Sequence, residues 1–399
     1  MSAAKSPPRF FTLVLLTWLS VLSLNMFLPS LPNMAVDLQA DYSLVSLSIA
    51  GYLGVTALLQ IIMGPLSDRF GRRPVLLVGV ALFTVASFGC MLATNIWLFL
   101  GFRLLQGAII SGWALSLAVI RDTMPEQEAA SFIGYVTMVM AIAPMLGPMF
   151  GGVLDELFGW RSSFLLFTTV GLVAFGLCWI DLGETNKTPS ETFMKQLSTY
   201  PALFRSRRFW GYALCMTFAT GAFYVFLAGA PLIAESLLAL SPSLLGFYMG
   251  TMTAGFTFGS FLSGRNATRY PLTTIIISGR IVACLGLIVG LMVFSAGFVH
   301  AASLFGATML VGLGNGLTMP SANAGVLSVR PELVGSAAGL AGALTVAGGS
   351  ILTSITGLIL TEENGVYQLL GLMLACSLMA LVAILFVLRL DQPRAELLN

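Results

Sequence analysis

"YLGVTALLQIIMGPLSDRFGRR", residues 52–73, decides how this chain is read. It begins as an apolar run without charge and ends on Asp68, Arg69, Arg72 and Arg73. Together with the apolar residues before it, the run is long enough to cross a bilayer as a helix. A second stretch, "YMGTMTAGFTFGSFLSGRNATR" at 248–269, aligns on it without a gap. Tyr52 falls on Tyr248, Gly54 on Gly250, Leu66 on Leu262, Ser67 on Ser263, Arg69 on Arg265 and Arg73 on Arg269. Matched glycines in apolar helices carry little weight. Two arginines at the same helix exit carry more, and they make the chain two related halves.

Composition places the repeat in lipid. Of 399 residues, 57% are hydrophobic and 9% are charged, against about 25% charged in a globular protein. Mean hydropathy is +0.93, and a soluble fold would need a charged surface that this chain lacks. The net charge of +2 offers no basic field for nucleic acid. Cys90, Cys178, Cys215, Cys284 and Cys376 stand singly in apolar stretches. Without C-x-x-C spacing they read as small core residues, not as disulfides or a zinc site. A single histidine, no metal-ligand cluster and no nucleophile–base pair at helical spacing argue against an enzyme. No cofactor is expected, and no soluble signalling domain suggests a sensor.

Reading for apolar runs of about 20 residues predicts twelve spans, an all-α membrane protein. The first half holds 10–30, 44–66, 75–94, 97–119, 131–153 and 162–181. The second holds 209–230, 243–263, 273–296, 301–320, 334–359 and 367–388. Lys5 and Arg9 precede the first run, but no small-residue cleavage site follows, so an uncleaved first helix is expected. The one long polar stretch, 183–208, is expected to link a six-helix bundle at 1–182 to another at 209–399. Two six-span halves related as parallel repeats suit a transporter that rocks about a central site. Lysines and arginines gather at one set of span ends, from Lys5 and Arg9 through Arg69, Arg72, Arg73, Lys187 and Lys195 to Arg389 and Arg394. The opposite ends hold Arg161 alone, with Asp37, Asp41, Asp155, Glu156, Glu235, Glu362 and Glu363. The bias predicts both termini in the cytoplasm.

Three motifs carry chemistry. "GPLSDRFGRRP", 64–74, closes the second span. Gly64 allows close helix approach, and Gly71 permits a tight turn before Arg72 and Arg73. A positive-inside loop explains the arginines but not the Asp-Arg-x-Gly-Arg order. "FRLLQG", 102–107, puts Arg103 about two turns inside the fourth span. Burial of an arginine at mid-bilayer costs about 3 kcal/mol on the lower scales. Arg103 therefore either snorkels to the nearby outer interface or serves as a cavity charge. "MVMAIAPMLGPMFGG", 138–152, lies in the fifth span. Its Gly147, Pro148, Gly151 and Gly152 allow close packing and a bent axis.

In these spans the motifs resemble those of the major facilitator superfamily. The resemblance implies two pseudo-symmetric six-helix bundles. It also implies a cytoplasmic latch of Asp68, Arg69, Arg72 and Arg73, with Asp122 of "VIRD" as partner. The second copy has Gly264 and Ala267 in place of Asp68 and Gly71, so its latch is expected to be weaker. Gly-Pro-x-x-Gly-Gly resembles the antiporter motif typical of exporters. "LNMFLPSLP" at the end of the first span, "ET" after the sixth, "AGAPLIAESLLALSPSLLGFYMG" at 228–250 and "NAGVLSVRPELVGSAAGLAGAL" at 323–344 resemble the Bcr/CflA drug-resistance branch. By that resemblance the chain is expected to be a drug:proton antiporter of the bacterial inner membrane. It would work as a monomer by alternating access, with the proton gradient as energy source. The same fold would serve a specific permease or exporter of a carboxylate or amino-acid-like metabolite.

Asn25 departs from the branch, where an aspartate is common. It cannot titrate, and no Asp or Glu lies well inside a predicted span. Asn25 and Arg103 are expected at similar depth and close together, with Arg280 in the ninth span as a second deep charge. An arginine without a carboxylate favours neutral or anionic cargo, because like charges repel in a low-dielectric site. Proton coupling then falls to Asp37, Asp155 or Glu235 at the cavity mouth. Further cavity candidates are polar or aromatic residues on apolar spans: Tyr52, Gln106, Trp113, Tyr135, Tyr224, Tyr248, Asn315 and Asn323. Taken alone, each is more often a packing residue or an interhelical tie than a cavity residue. His300 reads as interfacial.

Overall fold

The computed structural model describes residues 9–124, 126–186, 200–330, 333–361 and 364–396. Lys5, Lys187, Lys195, Glu362 and Glu363 fall outside these residues, and the side chain of Tyr135 is likewise not described. The chain divides into two compact units. One comprises 1–194 with 241–246, the other 195–240 with 247–399.

In the first half the helices are α1 (Phe10–Asn25), α2 (Leu31–Asp37), α3 (Tyr42–Phe70), α4 (Arg72–Leu92), α5 (Ile96–Gln106), α6 (Ile110–Thr123), α7 (Glu126–Phe158) and α8 (Arg161–Asp181). A short α9 (Tyr200–Phe204) leads to α10 (Arg207–Ser236), α11 (Pro242–Asn266), α12 (Leu272–Ser295), α13 (Ala301–Ser328), α14 (Val334–Ile359) and α15 (Gly365–Glu396). Ten segments among the described residues are long and apolar enough to cross a membrane. The two remaining long helices, α7 and α11, stand where the fifth and eighth spans were expected. Many outward side chains are apolar, among them Val78, Val85, Leu172, Ile180, Leu358 and Val382. A lipid-facing surface has that character.

Two spans are broken, and only the first break was legible, from the helix breakers Pro29 and Pro32 near the end of the first apolar run. Span one is α1, a 3-10 turn at Leu28–Ser30, and α2. Pro29 and Pro32 sit in the first turns of the new segments, where a missing N–H costs nothing. The break is buried from Leu28 to Pro32. The fourth span is interrupted by a 3-10 turn at Gly107–Ile109, directly after Arg103 and Gln106. Such a turn inside a helix commonly marks a hinge.

Each unit has its own seams. In the first, α7 lies against the end of span one through Gly147 and Gly151. A Cβ at Gly147 would stand 3.2 Å from Leu22 Cδ2, and one at Gly151 1.6 Å from the Met26 carbonyl oxygen. An aromatic cluster backs this seam, with Phe99 and Phe164 edge-on at 5.4 Å and Phe164 and Phe167 at 5.8 Å. In the second unit α12 and α13 touch backbone to backbone. A Cβ at Gly279 would meet the Gly314 oxygen at 2.6 Å, and one at Gly314 would meet the Gly279 oxygen at 2.3 Å. Phe209, Tyr212, Met216, Ile276, Val326 and Ile384 fill the core beside that seam.

Candidate functional site

Arg103 is fully buried. Its Nη1 donates to Gln106 Oε1 at 2.5 Å and its Nη2 to the Ser23 carbonyl at 2.7 Å. The guanidinium lies between two rings, 4.3 Å from the centroid of Phe27 and 4.4 Å from that of Tyr52. Gln106 Nε2 donates onward to Ser87 Oγ at 2.7 Å, and the Tyr52 hydroxyl pairs with Ser23 Oγ at 2.7 Å. One charge thus ties α1, α3, α4 and α5 together. No carboxylate among the described residues pairs with it. Two cation–π faces and two charge-assisted hydrogen bonds, each about 1.5–3 kcal/mol, outweigh the burial cost on the lower scales. The charge is held by a neutral shell, and Nε has no partner.

Arg280 repeats the scheme in the second unit. It is fully buried, with Nε donating to Thr318 Oγ1 at 2.8 Å and Nη2 to Asn315 Oδ1 at 2.7 Å. Asn315 Nδ2 donates to the Ala219 carbonyl at 3.0 Å. In both halves a buried arginine and an amide on the fourth helix reach a carbonyl on the first. The arginine itself sits on the fourth helix in one half and on the third in the other, so residue-by-residue alignment does not reveal the likeness.

Asn25 is buried, but it turns away from Arg103. Ser23 and Phe27, four residues apart, face the arginine, whereas Leu22, Asn25 and Met26 face Gly147 on α7. Two residues of helix rotate a side chain by about 200°, so similar depth did not mean proximity. Asn25 Nδ2 donates to the Val21 carbonyl at 2.8 Å, and Oδ1 has no partner. Of the other cavity candidates, Tyr52, Gln106 and Asn315 belong to the arginine clusters. Trp113 is half-buried and Asn323 exposed. Tyr224 is buried against Gly349. Tyr248 stacks on Phe305 with centroids 4.9 Å apart.

The three carboxylates expected at the cavity mouth differ. Asp37 forms an ion pair with Arg161 and accepts from Trp160 Nε1 at 3.1 Å, which ties α2 to the start of α8. Asp155 lies two residues past the fifth apolar run and is buried. It accepts from Asn33 Nδ2 at 2.6 Å. Burial raises its carboxyl pKa above the ordinary value, and the Asn33 and Ser30 side chains only partly oppose this. Glu235 is exposed near the end of α10.

At the opposite end of the first unit, Arg72 bridges Asp68, at 2.7 Å, and Asp122, at 3.2 Å, and also bonds Ser67. Arg73 donates to the Trp179 carbonyl at 2.9 Å, while Arg69 lies over Phe70 with its side chain exposed. Gly71 has φ of +96°, the left-handed region that favours glycine. The residue that sequence reasoning passed over is Glu184. Its Oε1 accepts from the Arg72 backbone N–H at 2.9 Å and its Oε2 from that of Arg73 at 3.3 Å. It caps the bare N-terminus of α4, where an anion is favoured. Asn186 Nδ2 donates to the Asp68 carbonyl at 2.7 Å, and Thr185 Oγ1 to Asp122 at 3.3 Å. The available signal was an acid in the first residues after the sixth span, facing a helix start that offers only Gly and Arg.

Comparison with known proteins agrees in fold and family. The sequence profile of the Major Facilitator Superfamily matches residues 13–353. The uncharacterized MFS-type transporter YdgK of Bacillus subtilis (strain 168) is 30% identical over 87% of this chain and 88% of its own. The multidrug resistance protein MdtL of Escherichia coli O127:H6 is 29% identical over 91% of each. A chloramphenicol resistance protein of Pseudomonas aeruginosa is 34% identical over 53% of this chain and 51% of its own. A bacterial homolog of the human lysosomal transporter Spinster, solved inward-facing and occupied, superposes with a TM-score of 0.76 over 96% of both chains at 15% identity.

Proposed function

Since this chain belongs to the Major Facilitator Superfamily, and is therefore a membrane transporter and not an enzyme, we propose that it exports drugs. In this reading it is a Bcr/CflA-type antiporter of the bacterial inner membrane, with both termini cytoplasmic and protons as the driving ion. Its cargo is small, amphipathic and neutral or anionic. The observation that carries the reading is the seam of Gly147 and Gly151 against Leu22 and Met26. It gives the exporter-type motif a physical task, which is close contact between α7 and the broken first span. Similarity to a multidrug resistance protein over most of the chain supports the same direction.

Cargo charge follows from Arg103. A guanidinium in a neutral shell repels lipophilic cations and tolerates neutral or acidic compounds. The same feature suits a carboxylate metabolite, the second reading. Everted membrane vesicles separate the two. Uptake of chloramphenicol and other neutral drugs, abolished by collapsing the pH gradient, is the expected result. Uptake of carboxylate metabolites alone supports the permease, and uptake indifferent to the gradient removes proton coupling.

A further inference from the structure

We propose that Asp155 is a proton-binding site, and that its occupancy sets how firmly the broken end of span one is held to α7. The role in transport rests on the proton-driven reading above; the site does not.

Three observations carry this. First, Gly147, Gly151 and Asp155 recur every four residues, so they share one face of α7. The two glycines admit α1 to backbone contact, and Asp155 continues the same line onto the segment after the break. Second, that segment is attached at this point by Asn33 Nδ2, which donates to Asp155 Oδ2 at 2.6 Å, with the Ser30 hydroxyl of the turn also beside the carboxylate. Third, Asp155 is 6% exposed, and among the described residues no cation pairs with it. Among the described residues, α1, the Leu28–Ser30 turn and the start of α11, which touches α7 at Gly152, bring no titratable group to this end of α7. The turn from α2 to α3 adds Asp41, and α7 itself adds Glu156. From α2 comes Asp37 and from α8 comes Arg161, but these two pair with each other. A buried carboxylate faced by neutral donors alone takes up a proton more readily than an exposed one.

The chemistry is one proton. In the ionised state Asn33 donates to a carboxylate, a bond roughly twice as strong as a neutral one. A proton delivered from water to the carboxylate turns it into a neutral acid, and the bond to α2 weakens. Acid at this end of the bundle therefore loosens α2 from α7, and alkali tightens it.

Infrared difference spectroscopy of the protein in lipid bilayers, without drug, tests the site. On acidification we expect a protonated-carboxyl C=O band with its midpoint above the ordinary carboxylate range. Asp155→Asn should remove the band, and Asp37→Asn should leave it. Asn33→Leu, which deletes the donor to the ionised form, should keep the band and move its midpoint to higher pH. A band that survives in Asp155→Asn, no band in the unsubstituted protein, or a midpoint unmoved by Asn33→Leu overturns the assignment. A spin label at Val36→Cys reads the second half, since Val36 is exposed and all five native cysteines are buried. The label should gain mobility on acidification, and in Asp155→Asn it should be mobile at every pH. A label whose mobility ignores both pH and Asp155→Asn overturns the link to α2. If both tests succeed while vesicle export ignores the pH gradient, the antiport reading fails and the site stands.

Discussion

At the scale of single residues, the proposed cargo preference rests on the balance around Arg103. Its two rings, one amide and one carbonyl form a fork that a lysine cannot fill, because an ammonium lacks the planar spread of donors. Arg103→Lys is expected to cut export at least tenfold with normal membrane levels, read as uptake into everted vesicles. Gln106→Leu leaves Nη1 without its acceptor and should cost about 1–3 kcal/mol in thermal stability. Unchanged melting of Gln106→Leu would mean that the Gln106 bond contributes nothing. Asn25 gives a prediction opposite to the one its sequence position suggests. An Asn25→Asp carboxylate would face Gly147 and Leu22, not the guanidinium. The preference for neutral over cationic drugs should therefore be unaltered in competition assays. A shift toward cations would place Asn25 beside Arg103 after all.

At the scale of elements, helix seams and caps decide which parts move together. Gly151→Ala would push a methyl into the Met26 carbonyl, 1.6 Å from the ideal Cβ position. The neighbour there is backbone and cannot rotate away, so span one or α7 must shift. We expect a loss of about 1–3 kcal/mol in thermal stability and strongly reduced export. Gly101→Ala, with nothing within 4 Å of the new carbon, should behave normally. At the other end of the first unit, Glu184 holds the start of α4 while Arg72 holds Asp68 and Asp122. If these residues form the latch that the family resemblance implies, Asp68→Asn and Glu184→Gln should each slow turnover more than they weaken drug binding, since a latch governs which state is populated. Equal loss of affinity, measured by equilibrium binding in detergent, would instead put these residues at the binding site.

At the scale of the whole molecule, charge placement predicts the orientation in the membrane. A cysteine at Gln39, exposed between α2 and α3, should react with a membrane-impermeant maleimide in intact cells. A cysteine at exposed Arg205 should react only after the membrane is opened. The reverse pattern would invert the topology. What the sequence alone determined is what period and composition control. Twelve apolar stretches, the repeat at 52–73 and 248–269, the Pro29 and Pro32 break and the loop after span two are local patterns, and local patterns survive without a fold. What only tertiary structure decided is which faces meet. Arg103 and Ser23 are 80 positions apart, Arg72 and Glu184 are 112 apart, and Asn33 and Asp155 are 122 apart. Helix rotation sets each of these meetings, and a turn of about 100° per residue sent Ser23 toward the arginine and Asn25 away from it. An apolar span looks much the same from every side, so its sequence does not announce that angle. The close packing of glycine against backbone does.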